Sequence, residues 1–165
     1  MKEIPLTQGR VALVDDEDFN RLSVWKWYYH YGYAVRREPA GKQRTIFMHR
    51  EVAHTPDGMQ TDHINLNRLD NRRSNLRACT AAENKANEGL RSSNKSGYRG
   101  VCWSARDNKW RANIHVGGKF LSLGCFDRAI DAAVAYDTAA EAYFGDFAKT
   151  NNVLLGWCGT EVEAK

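Results

Sequence analysis

Residues 61–77 read Thr-Asp-His-Ile-Asn-Leu-Asn-Arg-Leu-Asp-Asn-Arg-Arg-Ser-Asn-Leu-Arg, and Asn84 and Asn87 follow shortly after. This run holds what hydrolysis of a phosphodiester needs. A histidine is suited to take a proton from water at neutral pH, which makes His63 a candidate base. A hard cation such as Mg²⁺ offsets charge on the phosphate and prefers oxygen ligands. Asp62 offers one such oxygen and the amide of Asn84 a second. The same residues have plainer uses. A histidine beside an aspartate is ordinarily a surface pair, and Asn65, Asn67 and Asn71 suit turns.

The surrounding sequence predicts the elements that position this run. Val11–Val14 reads as a strand, Asp16–Ser23 as a helical turn, and Tyr28–Arg37 as a hairpin around Gly32. Trp25, Trp27 and the neighbouring tyrosines are expected in a core. Pro56-Asp57-Gly58 is a turn signal. Thr80 and Glu83 form a capping box for a short helix over 81–88, with Gly89 at its exit. Residues 91–97 are polar and read as a linker. Strands are expected over 98–103, 110–116 and 119–123, with turns at Asp107-Asn108 and Gly117-Gly118. Asp127 is expected to cap a helix that ends at Gly145.

Composition limits the function classes. The chain has 165 residues, of which 42% are hydrophobic, so packed cores are within reach. Its net charge of +4 alone does not mark a nucleic-acid binder. The distribution is more telling: residues 91–119 carry seven Lys/Arg and one acid, and residues 121–152 carry five acids and two bases. Packed back to back, such segments leave one face suited to phosphates. Cys79, Cys102, Cys125 and Cys158 form no CxxC pair, which argues against structural zinc and fits a reducing compartment. Neither a secretory leader nor a membrane span is expected, so the localisation expected is cytoplasmic, in a host cell if phage-encoded.

The run DHI-x-x-N-x-x-DNR-x-x-NLR-x-x-T-x-x-x-N resembles the HNH nuclease family, in the branch common among phage and intron-encoded homing endonucleases. The likeness covers roughly residues 46–88. It implies a ββα-metal unit with His63 as general base, Asp62 and Asn84 as metal ligands, and Asn75 bracing the hairpin and helping to orient the histidine. The cation implied is Mg²⁺ or Mn²⁺. The last position is Asn84 where other branches have His, which should weaken metal binding. The family also implies a 5′-phosphate and a free 3′-hydroxyl as products. His49 recurs before this motif in the family and is read here as structural or phosphate-binding. Arg50, Arg68, Arg72, Arg73 and Arg77 are candidates to grip phosphates, with a solvated surface role the alternative for some of them.

Tyr98-Arg-Gly-Val101, Lys109-Trp-Arg-Ala-Asn-Ile114, Leu123-Gly-Cys-Phe126, Ala132-Ala-Val-Ala-Tyr-Asp137, Phe144-Gly145 and Ala148-Lys-Thr-Asn151 occur in order. Together they are similar to the AP2/ERF DNA-binding domain, which implies a three-stranded antiparallel sheet on one helix, the sheet lying in the major groove. Alternation places Trp110, Ala112 and Ile114 on one face and Arg111, Asn113 and His115 on the other. Candidate DNA contacts are Arg99, Trp103, Arg106, Arg111, Asn113, His115 and Lys119. Cys102, Ser104, Phe120 and Ser122 stand where plant members carry other readers, so the plant target does not transfer.

The fold class expected is α+β. It comprises a β-rich segment over 1–45, a nuclease unit over 46–90, the linker 91–97, an AP2-like module over 98–152 and a tail over 153–165. The function expected is a site-specific endonuclease of a phage or mobile element, acting on double-stranded DNA. No protein partner is implied, and homodimerisation is left open. The alternatives are a non-catalytic transcription regulator on a nuclease fold and an RNA binder.

Overall fold

The computed structural model describes residues 1–38 and 44–156. Two compact units divide the chain, Met1–Asn84 and Lys85–Lys165.

In the first unit β1 (Lys2–Pro5) and β2 (Val11–Val14) pair antiparallel, and α1 (Asp16–Ser23) follows. A second sheet has the order β3 (Tyr28–His30), β4 (Tyr33–Arg37), β5 (Thr45–Phe47) and leads directly into α2 (Met48–Ala53). Then β6 (Gln60–His63) pairs antiparallel with β7 (Leu76–Cys79), and α3 (Ala81–Ala86) comes next. One core joins these pieces: Ile4, Val14, Leu22, Trp27, Met48 and Leu76 all pack within it. Trp27 can be buried whole because its indole N–H donates to the Leu22 carbonyl at 2.8 Å. Trp25, expected in the core, is 39% exposed, with the Arg36 guanidinium 4.4 Å above its ring.

The first sheet and the loop before β7 are fastened to one another. Leu13 in β2 donates its N–H to the Leu69 carbonyl, and Asn71 donates its N–H to the Leu13 carbonyl, both at 2.8 Å. Helix α1 supplies the second fastening. Buried Asp18 accepts from the Nε and Nη2 of Arg73 at 2.7 and 2.9 Å and from Arg21 at 2.7 Å. Asp15 accepts from the Arg73 backbone N–H. The β-rich segment is thus part of the unit that carries residues 61–77.

The second unit has the sheet order β10 (Lys119–Phe126), β9 (Lys109–Val116), β8 (Val101–Ser104), all antiparallel, covered by α4 (Ala129–Phe144). The small Ala132, Ala133 and Ala140 are buried on α4, so the helix lies close over Val101, Ala112 and Ile114. Closeness is greatest at Gly100, which has φ +72°; a Cβ there would lie 1.9 Å from the Tyr136 ring. A short helix α5 (Asn151–Leu155) follows, with Thr150 capping Val153. Residues 157–165, including Cys158 and most of the expected tail, lie outside the described residues.

The expected boundaries shift at several places, and β10 runs on to Phe126 rather than ending at 123. The capping box forms, with Glu83 accepting from Thr80 N–H at 2.7 Å and Thr80 Oγ1 from Glu83 N–H at 3.2 Å, but α3 ends at Ala86 rather than 88. Strand β8 starts at Val101 rather than 98, because 94–98 are folded into side-chain-stabilised turns on Asn94 and Ser96. Asp127 does not cap α4. The cap position is Arg128, without a side-chain bond, and Asp127 pairs with Lys109 at 3.2 Å.

Two predictions follow from this packing. His49 in α2 is 8% exposed, and burial drives its pKa from 6.5 to about 3, with His63 and Arg50 adding to the effect. The unfolded chain therefore binds this proton first. The stability is complete above about pH 6.5 and is lost as pH falls toward the folded value, by up to about 1.4 kcal/mol per pH unit. Melting temperatures of His49→Phe should depend less on pH between about 6.5 and 4.5 than those of the wild type; identical slopes would refute this assignment. Separately, Gly100→Ala should destabilise the second unit by about 3 kcal/mol or more, through overlap and a left-handed backbone, as read by thermal denaturation.

Candidate functional site

Strand β6 carries Asp62 and His63 side by side, 4% and 5% exposed. Alternation sends their side chains to opposite faces of the β6–β7 ribbon. Across from Asp62 stands Arg77, whose Nε donates to Asp62 Oδ2 at 2.8 Å. Two residues back on the same strand, Gln60 Oε1 accepts from Asn84 Nδ2 at 2.6 Å. That bond ties α3 to the face of β6 that Asp62 shares. Two oxygen-bearing side chains from two elements are in this way gathered on one side of the ribbon. Among the described residues, no group of three or more His, Cys, Asp or Glu side chains is arranged to hold a metal ion.

His63 lies on the other side, in an aromatic setting. The His49 ring meets it edge-on at 5.1 Å between centroids, and the Tyr33 ring is 6.2 Å away. Its Nε2 is 3.3 Å from Asn71 Oδ1. The Asn71 amide has a defined orientation, because its Nδ2 donates to the Leu69 carbonyl at 3.3 Å and faces the Met48 sulfur at 3.5 Å. The oxygen therefore points to the histidine, and the histidine donates through Nε2. The remaining nitrogen, Nδ1, is the basic one. Burial lowers the His63 pKa below its ordinary value; the Asn71 bond and the charges of Asp62 and Asp70 oppose this, and Arg68 adds to it.

The loop between β6 and β7 is held from inside. Asn75, 6% exposed, accepts from Asn65 N–H at 2.9 Å and donates to the Asp70 carbonyl at 2.8 Å. Asn65 and Asn67 make the turn contacts expected of them. Asn71, read from the sequence as a turn residue, is instead the side chain that meets His63. Its burial could not be read from the string of neighbouring asparagines. The spacing of eight residues from His63 across a tight loop was the available signal.

The arginines expected at phosphates have protein partners. Arg50 donates to the Met59 and Pro56 carbonyls. Arg72 makes a two-pronged pair with buried Asp70 at 2.7 and 2.6 Å, and Arg73 is held by Asp18. Arg77 is held by Asp62.

In the second unit the outward face of the sheet carries Arg111 between Cys102 and Cys125, Asn113 opposite Ser122, and His115 opposite Phe120. Trp103 is 47% exposed and packs edge-on against Trp110. Arg106 and Arg111 both lie beside Asp107, at 3.2 and 3.3 Å, and Lys119 is exposed at the β9–β10 turn. Arg99 is placed differently. Its guanidinium donates to the carbonyls of Lys85, Glu88 and Lys149 and lies 6.0 Å from the Tyr136 ring, inside the unit rather than on that face.

Comparison with known proteins fits these two sites. The HNH endonuclease family model matches residues 40–86. An uncharacterized HNH endonuclease of Acanthamoeba polyphaga mimivirus is 30% identical over 149 residues, covering 88% of this chain and 77% of its own length. Protein 3.8 of Escherichia phage T7 is 34% identical over 94 residues, 57% of this chain and 77% of its own. The AP2-like ethylene-responsive transcription factor TOE2 of Arabidopsis thaliana is 43% identical over 70 residues, 42% of this chain but 14% of its own. A β6–β7–α3 unit with Asp62 and His63 on its first strand, a relative similar along nearly the whole chain, and the matching family model place this chain in the HNH endonuclease family.

Proposed function

We propose that this protein is a divalent-metal-dependent endonuclease acting on duplex DNA, with His63 as general base and the second unit as its DNA-recognition module. The observation that carries the reading is the His63–Asn71 bond. A buried imidazole that donates through Nε2 presents Nδ1 as a proton acceptor, and its lowered pKa keeps it neutral at working pH. Asn71 fixes the tautomer and the ring angle. Water held at Nδ1 would lose its proton there as it attacks phosphorus.

Asp62 and Asn84 are assigned to the cation. The donor set is carboxylate and amide oxygen, which fits Mg²⁺ or Mn²⁺, and a sparse protein set suits Mg²⁺, which keeps several waters and uses phosphate oxygens. When bound, the ion supplies charge stabilisation at the phosphate and its leaving oxygen. Arg77 holds the Asp62 carboxylate in position, and Gln60 holds the Asn84 amide. Asn75 keeps the loop closed between them. Arg72 and Arg73, paired with the buried carboxylates of Asp70 and Asp18, are assigned with Arg50 and Arg77 to bracing. A role as a mobile-element or phage homing nuclease rests on family likeness alone.

On the second unit we assign base and phosphate contacts to Arg106, Arg111, Asn113, His115 and Lys119, which share the exposed side of the sheet or its turns; Trp103, expected among them, stands opposite Trp110 on the face that carries Ala112 and Ile114. Arg99 is assigned to holding the unit together. The basic 98–119 stretch and the helix behind it support this division.

Plasmid cleavage with Mg²⁺ tests the centre. His63→Ala should lower kcat by about 10²–10⁴, and Asn71→Ala by on the order of 10–100 with KM little changed. Equal rates for His63→Ala and wild type would remove the nuclease reading. Replacing Asn113 and His115 with alanine should alter the ranking of cut sites in a genome-wide map while sparing the basal cutting rate. An unchanged map would remove the recognition role.

A further inference from the structure

Beside His63 the first unit exposes two bulky residues in a backbone conformation that costs them energy. Tyr31, at the tip of the β3–β4 hairpin, has φ +46° and is 83% exposed. Leu66, in the loop after β6, has φ +66° and is 38% exposed. Both positions would be served more cheaply by glycine or asparagine, and neither side chain contributes to the core. Strain held at two exposed apolar tips points to a use outside the fold.

Arg68 joins the two tips. It donates from Nη1 to the Tyr31 carbonyl at 3.4 Å, its guanidinium lies 4.7 Å from the Tyr33 ring, and its Cδ lies against Gly32. Tyr33 in turn packs toward His63. Among the described residues Arg68 has no carboxylate partner, whereas Arg36, Arg72, Arg73 and Arg77 each have one. It is a cation left available next to the proposed base, and its charge is felt at His63.

We infer that the hairpin tip at Tyr31 and the loop at Leu66–Arg68 form a grip on duplex DNA beside the cut phosphate. Arg68 takes a backbone phosphate, and Tyr31 and Leu66 press against sugar and base edges on either side of it. The inference builds on the nuclease reading for its placement, but it concerns binding. Stacking on Tyr33 leaves the outer edge of the Arg68 guanidinium for a phosphate. Exposed apolar tips next to such a cation fit the sugar and base edges of a groove.

The test uses the full chain carrying His63→Ala, so that DNA is bound and not consumed, and a short DNA duplex of mixed sequence as probe. Tyr31→Gly and Leu66→Gly relieve backbone strain, so melting temperatures should hold or rise. Affinity should nevertheless fall about fivefold or more for each. Arg68→Gln should lower the slope of log K against log salt by about 0.9. Arg68→Lys keeps the charge and should keep the slope, a dependence on charge that a merely structural stacking role would not produce. Affinities and slopes unchanged across Tyr31→Gly, Leu66→Gly and Arg68→Gln would overturn the grip. Cleavage by the otherwise wild-type chain, measured alongside, separates the two readings. Lost affinities without cleavage would leave the grip standing and remove the nuclease; normal cleavage with unchanged affinities would remove the grip alone.

Discussion

The backbone clamp between β2 and the 69–71 loop is the constraint on which the centre depends. Leu13 both donates to Leu69 and accepts from Asn71, so the loop cannot slide along β2 without losing two hydrogen bonds. With its backbone fixed there, Asn71 turns its side chain inward, toward Met48 and His63. The Leu69 carbonyl and the Met48 sulfur claim the nitrogen, and the oxygen is left for His63. The orientation of the histidine is therefore set by a strand some fifty residues earlier in the chain. This gives the β-rich N-terminal segment a physical task that its composition did not reveal.

Much of the fold was legible from local chemistry. The strand at Val11–Val14, α1, the hairpin around Gly32 and the capping box at Thr80 all depend on neighbours in sequence, and the structure has them where the residue types put them. The split of Trp110, Ala112 and Ile114 from Arg111, Asn113 and His115 follows from alternation alone. Tertiary contacts were not legible. Nothing in the asparagine-rich run distinguishes Asn71, which is buried against His63, from Asn67, which turns the chain. Arg99 looked like the arginines beside it until three backbone carbonyls proved to surround it. The misplaced cap at Asp127 is similar: a good capping residue was drawn one position away by Lys109.

Charge shows the same difference between sequence and fold. The chain is only modestly basic, and many of its arginines neutralise carboxylates within the protein. Asp18 holds Arg73 and Arg21, Asp70 holds Arg72, Asp62 holds Arg77 and Glu51 holds Arg36. Pairs of this kind do more for geometry than for net stability, because desolvation offsets much of the attraction. Here they fix strand β6 with Asp62 and the loop that carries Asn71 and Asn75. The cations that remain for DNA are fewer than the sequence offers, which gives Arg68 in the first unit its weight.

The central claim is that Asn71 holds His63 as a neutral imidazole with its proton on Nε2. Nitrogen-15 NMR of the imidazole rings in the metal-free protein near neutral pH tests this directly. The account predicts a His63 spectrum with a protonated Nε2 and an unprotonated Nδ1, and a loss of that preference in Asn71→Ala. A proton found on Nδ1 in the wild-type protein would contradict it.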